Sequence, residues 1–467
     1  MATSKDLWKW THHLPGIAPG APGEGIFSGS SVVDLDNTSG FFNSSIPPSH
    51  RIVAIYTLNT PDSQTQQIAY SLDGGLTFIK YEGNPVLSIG QTQFRDPKVF
   101  WDSQTKKWIM PVSLSQHYQI IFYASPDLKS WTELSRFSTA GILGYQYECP
   151  GLFQVPVKGG PKDGQMQWVL WISINPGGIS QGGSFIQYYI GDWDGQKFTA
   201  YDAAARLTEW GPDSYAAQTW SNSPDPQKTY LISWASNWLY SQHVPTDPWR
   251  STFTVAREAR LQFYPQNPQD NAYVFAQEPI DTTPIRGRSL LDASGSNVGN
   301  KTVQFDKNQD TGGFDFNVTF TSPDISKLTS DSFGSITFYN HDQSQHITVG
   351  VLMGLPAQVY IDRRHASTKY ANTTPFFVDR FSTILMPTLA DTKSATSAAT
   401  LKLRTILDKS LLELYAQDGA SVATASFFFD GGSAPASASI TTHDASVQVG
   451  DVHAASLKST WDCFVKP

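Results

Sequence analysis

In the first 265 residues, apolar positions fall in short runs rich in Val, Ile, Tyr, Phe and Trp, separated by Gly, Pro, Asn and Asp. Residues 51–57, 107–110, 118–124, 168–174, 184–190 and 229–235 are the clearest runs. β-Branched and aromatic side chains suit a pleated, half-buried surface, so each run predicts a strand, and amphipathic-helix periodicity is nearly absent. A degenerate repeat sets a period. An Asp is followed four or five residues later by an aromatic at Asp6/Trp10, Asp73/Phe78, Asp127/Trp131 and Asp194/Phe198, and the aromatics lie 68, 53 and 67 residues apart. Each interval holds about four strands of the usual 5 to 6 residues with their turns, the content of one propeller blade. The first copy lies at residues 6–10, so the chain is expected to open on the outermost strand of a blade whose three inner strands are missing.

Pro and Asn cluster between residues 264 and 288, and the repeat stops there. This predicts a propeller over residues 1–264, a linker over 265–288 and a second domain over 289–467. In the second domain residues 313–320, 334–338, 346–352 and 411–415 alternate apolar and polar positions, the pattern of an antiparallel sandwich. The expected fold class is all-β: a five-bladed β-propeller with an incomplete first blade, followed by a β-sandwich.

Composition narrows the function. Charged residues are 16% and aromatics 13%, which excludes disorder and coiled coil. A net charge of −8 without any Lys/Arg run leaves no footprint for phosphate backbones or anionic lipid, so neither nucleic acid nor a membrane is an expected partner. The longest apolar segment, residues 168–174, is far short of the roughly 18 residues that span a bilayer. Cys149 and Cys463 encode neither a disulfide framework nor a metal site, and the ten His lack the H-E-x-x-H spacing; no metal or cofactor is expected. Sequons begin at Asn37, Asn43, Asn300, Asn317 and Asn372, a weak pointer to secretion, while residues 1–6 lack the apolar core of a signal peptide.

Propeller ligands meet the axial end where innermost strands converge, so candidate chemistry is sought at the first strand after each repeat. Phe27-Ser28-Gly29-Ser30, Phe94-Arg95-Asp96-Pro97, Tyr147-Glu148-Cys149-Pro150 and Gly211-Pro212-Asp213-Ser214-Tyr215 fall there. Glu148, among Tyr145, Tyr147, Cys149 and Pro150, is expected in an apolar setting that favours the neutral carboxyl of a general acid; the plain alternative is a Glu facing solvent. Asp96 beside Arg95 is expected to stay ionised, suited to holding hydroxyls or balancing positive charge, and alone it also reads as an ion pair at a turn before Pro97. Two carboxyls in opposed environments form the pair that glycoside hydrolysis uses. Phe27 and Ser28 offer an aromatic face and a hydroxyl. Trp234, Trp238 and Trp249 offer stacking faces, although core Trp is commoner. Asp213 reads equally as a ligand contact or a turn residue. Cys149 reads as a small buried hydrophobe.

These segments resemble, in order, the signatures of glycoside hydrolase family 32, which comprises invertases, inulinases and other β-fructofuranosidases. The motifs are Gly25-Ile-Phe-Ser-Gly-Ser-Ser-Val-Val33, Phe94-Arg-Asp-Pro-Lys-Val-Phe100, Tyr145-Gln-Tyr-Glu-Cys-Pro-Gly-Leu152, Tyr215-Ala-Ala-Gln-Thr219 and Trp234-Ala-Ser-Asn-Trp238. The likeness runs from Ala2-Thr-Ser-Lys-Asp-Leu7 to Ile361-Asp-Arg-Arg364 and Asp408-Lys-Ser-Leu-Leu-Glu-Leu414. The resemblance implies Glu148 as general acid/base and Asp96 as transition-state stabiliser, with Arg95, Phe27 and Ser28 lining a fructose pocket; Asp213 and Trp234 are further candidates for substrate contact. It also implies a metal-free retaining mechanism on a small carbohydrate such as sucrose or fructan, and secretion of a full-length member. It leaves a homodimer open.

One departure is serious. The family's nucleophile is the Asp of a W-M-N-D-P-N-G segment, which this chain does not contain; its Asp-Pro pairs, at Asp96, Asp225 and Asp247, have other contexts. Weak or absent hydrolysis by the polypeptide as it stands is therefore expected, as is poor solubility from open strand edges. A non-catalytic fructoside-binding propeller would keep Phe27, Ser28, Arg95 and Asp96. A sialidase-like propeller is suggested by the Asp-box-like Ser71-Leu-Asp-Gly-Gly-Leu-Thr-Phe78, but needs an Arg triad and a Tyr nucleophile.

Overall fold

The computed structural model describes residues 1–178, 183–246, 249–306 and 312–460; Asp247 and Cys463 lie outside them. The architecture is a β-propeller followed by a β-sandwich. One blade is the antiparallel sheet Gly25–Val33, Ile52–Asn59, Gln64–Ser71 and Ile79–Lys80. The next runs Phe94–Arg95, Lys107–Leu114, Gln119–Ser125 and Thr132–Ser138, and the third Tyr147–Lys158, Met166–Ile174, Phe185–Trp193 and Phe198–Ala200. A fourth, built on Tyr215–Thr219, Thr229–Ala235, Arg257–Asn267 and Asp270–Pro279, joins the third through a short parallel pairing of Val157 with Leu261. Strand faces alternate into clusters between blades, such as Val53, Ile55, Ile68, Val112 and Ile121, all essentially fully buried. Burial of side chains this size contributes about 1.5–3 kcal/mol each.

The repeated Asp closes the same hairpin in every copy. Asp6 Oδ1 accepts the amides of Trp8 and Lys9 at 2.9 and 2.8 Å, and Asp127 Oδ1 those of Lys129 and Ser130 at 2.9 and 2.8 Å. Asp194 accepts the amides of Gln196 and Lys197 in the same way, and Asp73, whose aromatic lies one residue further on, accepts those of Leu76 and Thr77. The aromatic then locks the turn: the Trp10 and Trp131 indoles donate to the carbonyls of Leu7 and Leu128, which take left-handed φ of 61° and 62°. The side chain mimics a backbone turn, which is why an Asp is needed there. The first copy joins two strands, Ala2–Ser4 and Trp10–His12, where the sequence predicts one. A cavity of about 440 Å³ lies beside this hairpin, lined by Trp8, Trp10, Trp220, Ile232, Phe253 and Val255.

The expected linker over 265–288 is largely strand. The Pro/Asn cluster is the hairpin turn between Arg257–Asn267 and Asp270–Pro279, so the propeller sheets run to Pro279, and sandwich strands begin at Arg286. The sandwich pairs a seven-stranded sheet containing Gly313–Ser322, Ala399–Asp408, Leu411–Ala416 and Ser421–Ser426 with a six-stranded sheet containing Phe333–Tyr339, His346–Leu352 and Ala357–Asp362. Phe314, Phe316, Phe320, Phe338 and Leu403 fill the space between them. The two domains meet across buried charge. Arg257 binds Glu209 at 2.9 Å and Glu413 of the sandwich at 2.7 Å, and Arg363 of the sandwich binds Asp213 at 2.7 Å.

Candidate active site

Four inner strands carry a backbone irregularity near their start or end. Asp96, Cys149 and Ala216 take φ of 65°, 46° and 51°, and the ladders slip between Glu148 and Gly151, between Tyr215 and Gln218, and between Phe27 and Gly29. A bulge bends the strand and re-aims a side chain, and non-glycine residues in the left-handed region cluster at functional sites.

The carboxylates of two adjoining blades meet here. Asp96 is 7% exposed; its Oδ2 accepts the amide of Cys149 at 2.9 Å, with Cys149 Sγ at 3.6 Å, and its own amide donates to the Thr57 hydroxyl at 3.2 Å. Burial pushes the Asp96 carboxyl above its usual range, and the neighbouring Glu148 charge adds to this. Arg95 reaches past Asp96. Its Nε and Nη2 donate to Glu148 Oε1 at 3.3 and 2.8 Å, and the guanidinium also meets Gln64, Gln93 and Gln146. The other Glu148 oxygen accepts the Tyr215 hydroxyl. Burial and the Glu148 charge hold the Tyr215 phenol well above its ordinary value.

The expected environments are therefore exchanged. Glu148 sits on a guanidinium and a phenol, not among apolar groups, and Tyr145 is exposed; Asp96 is the desolvated carboxyl, not the partner of Arg95. Adjacent strand residues point to opposite faces, so Arg95 reaches the next blade more readily than its own neighbour.

Of the other candidates, Phe27 is 42% exposed and pairs across the sheet with Thr57, the residue that holds the Asp96 amide; Ser28 is exposed at the bulge. Trp234 pairs with Tyr215, their rings 6.4 Å apart, and its indole donates to Ser251 at 2.6 Å. Trp238, 47% exposed, packs on Trp234 at 5.0 Å, so the two form an aromatic wall beside Tyr215. Trp249 is exposed. Asp213 does not join the cluster: it is fully buried, bound by Arg363, the Tyr240 hydroxyl and the Ser426 amide. Its expected substrate contact is replaced by a contact between domains, because its charge is taken up by a sandwich arginine.

Tyr215, Thr57 and the three glutamines had no role from the sequence, and Cys149, read there as a small buried hydrophobe, is buried but also gives its amide to Asp96. The signal for Tyr215 was its place at the start of an inner strand. Lys98 was missed too: it is buried, its ammonium donates to the Thr219 carbonyl of the last blade, and burial brings its pKa down to about 8. Among the described residues no group of three His, Cys, Asp or Glu is placed to hold a metal. The chemistry offered is that of two carboxylates, an arginine and hydroxyl-binding amides beside an aromatic wall.

Both domains are similar to known proteins over most of their length. The model of the glycosyl hydrolases family 32 N-terminal domain matches residues 1–279, and that of the family's C-terminal domain matches residues 282–458. The chain is 40% identical to "Invertase 2" of Saccharomyces cerevisiae over 454 residues, covering 94% of this chain and 82% of that one. It is 42% identical to the "Extracellular exo-inulinase" of Meyerozyma guilliermondii over 431 residues, covering 92% and 80%. Among solved structures, the β-fructofuranosidase of Schwanniomyces occidentalis complexed with fructosyl-erythritol superposes with a TM-score of 0.89 at 39% identity, covering 98% of this chain and 88% of that one.

Proposed function

The chain belongs to glycosyl hydrolase family 32, and from that premise we propose that its site receives the terminal β-fructofuranosyl unit of sucrose or a fructan, with Glu148 as general acid/base and Asp96 as the stabilising carboxylate. One observation carries the reading: the Cys149 amide next to Glu148 binds Asp96, while Arg95 next to Asp96 binds Glu148, so carboxylates 52 residues apart form one interlocked cluster. Asp96 is 7% exposed and accepts one backbone amide, from Cys149, so sugar hydroxyls that donate to its remaining lone pairs offset its desolvation. The same oxygen then faces positive charge as it develops on the fructosyl ring. Glu148, its side chain 16% exposed, is the more open of the two and so the better placed to exchange a proton with the leaving oxygen. Phe27, Ser28 and the Trp234–Trp238 wall give the ring its sides. The fructosyl-erythritol held by the Schwanniomyces enzyme supports a fructosyl unit as the ligand class.

The nucleophile sets the rate. The 467 residues contain no W-M-N-D-P-N-G segment, so this polypeptide, assayed as such, is expected to hydrolyse sucrose about 10⁴- to 10⁶-fold more slowly than an intact retaining site. Purified protein with ordinary invertase turnover overturns this. A second reading draws on the same geometry: with Arg95, Asp96, Phe27 and Ser28 retained, the propeller binds fructosides without turning them over. Calorimetry with fructose, sucrose and inulin beside the hydrolysis assay separates the two. A secreted, N-glycosylated protein is part of the proposal, supported by the sequons and by the relative named extracellular.

A further inference from the structure

The sandwich segment Ile361-Asp-Arg-Arg364 plays no part in the chemistry above, yet its Arg363 is fully buried and faces the propeller. We infer that Arg363 is a positioning residue for Glu148, acting through Asp213 and Tyr215; this rests on the reading of Glu148 as the acid/base. Arg363 Nη1 donates to Asp213 Oδ2 at 2.7 Å and to the Ser426 carbonyl at 2.6 Å, and its Nε donates to the Val378 carbonyl at 2.6 Å. Asp213 Oδ2 also accepts the Ser426 amide at 2.8 Å, and Oδ1 accepts the Tyr240 hydroxyl.

The backbone follows the side chains. The amides of Trp210 and Asp213 donate to the carbonyls of Val422 and Thr424, at 3.0 and 3.2 Å, so residues 210–213 lie along the sandwich strand Ser421–Ser426. Gly211 permits that approach: a Cβ there would come within 2.4 Å of the Thr424 amide nitrogen. Two residues beyond Asp213, Tyr215 starts the inner strand and donates to Glu148. The Pro212 carbonyl accepts the Asn237 side-chain amide at 2.8 Å, which ties in the turn that carries Trp238. A buried, multiply hydrogen-bonded charge pair has one low-energy arrangement, and here it fixes the point from which Tyr215 reaches the carboxyl. The charged and titratable groups around the Tyr215 hydroxyl are Glu148, Asp96, Cys149 and, through Glu148, Arg95.

The test compares R363M, R363K and Y215F with R404M, which breaks the Arg404–Asp315 pair inside the sandwich, away from residues 210–215. Crystal structures and the pH dependence of fructose binding by calorimetry are the readouts. In R363M the Tyr215 hydroxyl is expected to leave hydrogen-bonding reach of Glu148, beyond about 3.5 Å. Fructose affinity falls about tenfold in R363M and in Y215F, as for a lost hydrogen bond to a charged group. Their pH midpoints shift in the same direction, and the double variant adds nothing. R363K, which keeps the charge without the planar fork, moves the midpoint partway and decides the matter where R363M does not fold. R404M lowers Tm and leaves the midpoint in place. The inference is overturned if the Tyr215–Glu148 bond persists in R363M or R363K, if their midpoints match the parent, or if R404M shifts the midpoint equally. A parent that binds no fructose overturns the functional reading instead, and the crystal structures then decide this inference alone.

Discussion

Replacing Glu413 by Ala breaks one of the two buried ion pairs described above between the domains. Glu413 is 1% exposed; it accepts from Arg257 Nε and Nη2 at 3.1 and 2.7 Å, from the Val255 amide at 2.8 Å and from the Tyr415 hydroxyl at 2.6 Å. In the Ala variant Arg257, with no exposure, keeps Glu209, Gln277 and Thr424, so its charge is left partly compensated. Breaking a buried pair costs about 3–5 kcal/mol, and the remaining Glu209 places this case near the lower end, about 3 kcal/mol. At about 2–4 °C per kcal/mol for domains of this size, Tm falls by about 6–12 °C in scanning calorimetry. E413Q keeps the volume and an acceptor, and should lose about 1–1.5 kcal/mol. The comparison is K402A, which removes the Lys402–Asp418 pair, where both side chains are half exposed; its change stays within about 0.5 kcal/mol. An E413A protein no less stable than K402A would show that the buried charges carry no weight at the interface.

Asp96 gives a pH prediction. Because burial lifts its folded pKa above the unfolded value of 3.8, its favourable contribution is full below that value and is lost as pH rises through the folded one. Above about pH 3.8 ionisation of this carboxyl favours the unfolded chain in the parent and not in D96N, so D96N should gain on the parent in urea as pH rises from 3.8 to 7, with the gap closing below about pH 3.8, and it should lose fructose binding; a gap that does not widen with pH contradicts the burial effect. Trp238, half exposed against Trp234, should weaken sucrose binding about 2- to 12-fold when replaced by Ala, read by calorimetry, and an unchanged affinity removes it from the site. Expressed in a secretory host, the protein should carry glycans at the exposed Asn43, Asn300 and Asn372 by peptide mapping. Asn317 should be bare, since it lies in a strand paired on both sides, with its amide on Asp315 at 3.2 Å.

The propeller was legible because its repeat is local: Asp and aromatic lie four or five residues apart and close one hairpin, so the turn chemistry is written in a single short window. The cluster of Arg95, Asp96 and Glu148 was legible as positions, since inner-strand starts follow from the repeat. Their partners were not, because which oxygen a guanidinium meets depends on bulges that re-aim each strand. Asp213 and Arg363 are 150 residues apart, and no spacing announces a contact across a domain boundary. Proline and asparagine at residues 265–268 mark a break in a strand equally well whether a linker or a tight hairpin follows.

The most direct measurement is a crystal structure of the protein soaked with fructose. The ring is expected between Phe27 and the Trp234–Trp238 wall, with hydroxyls about 2.5–3 Å from the Asp96 carboxylate and the anomeric oxygen turned to Glu148. Fructose bound elsewhere, or a ring in this cup that touches neither carboxylate, contradicts it.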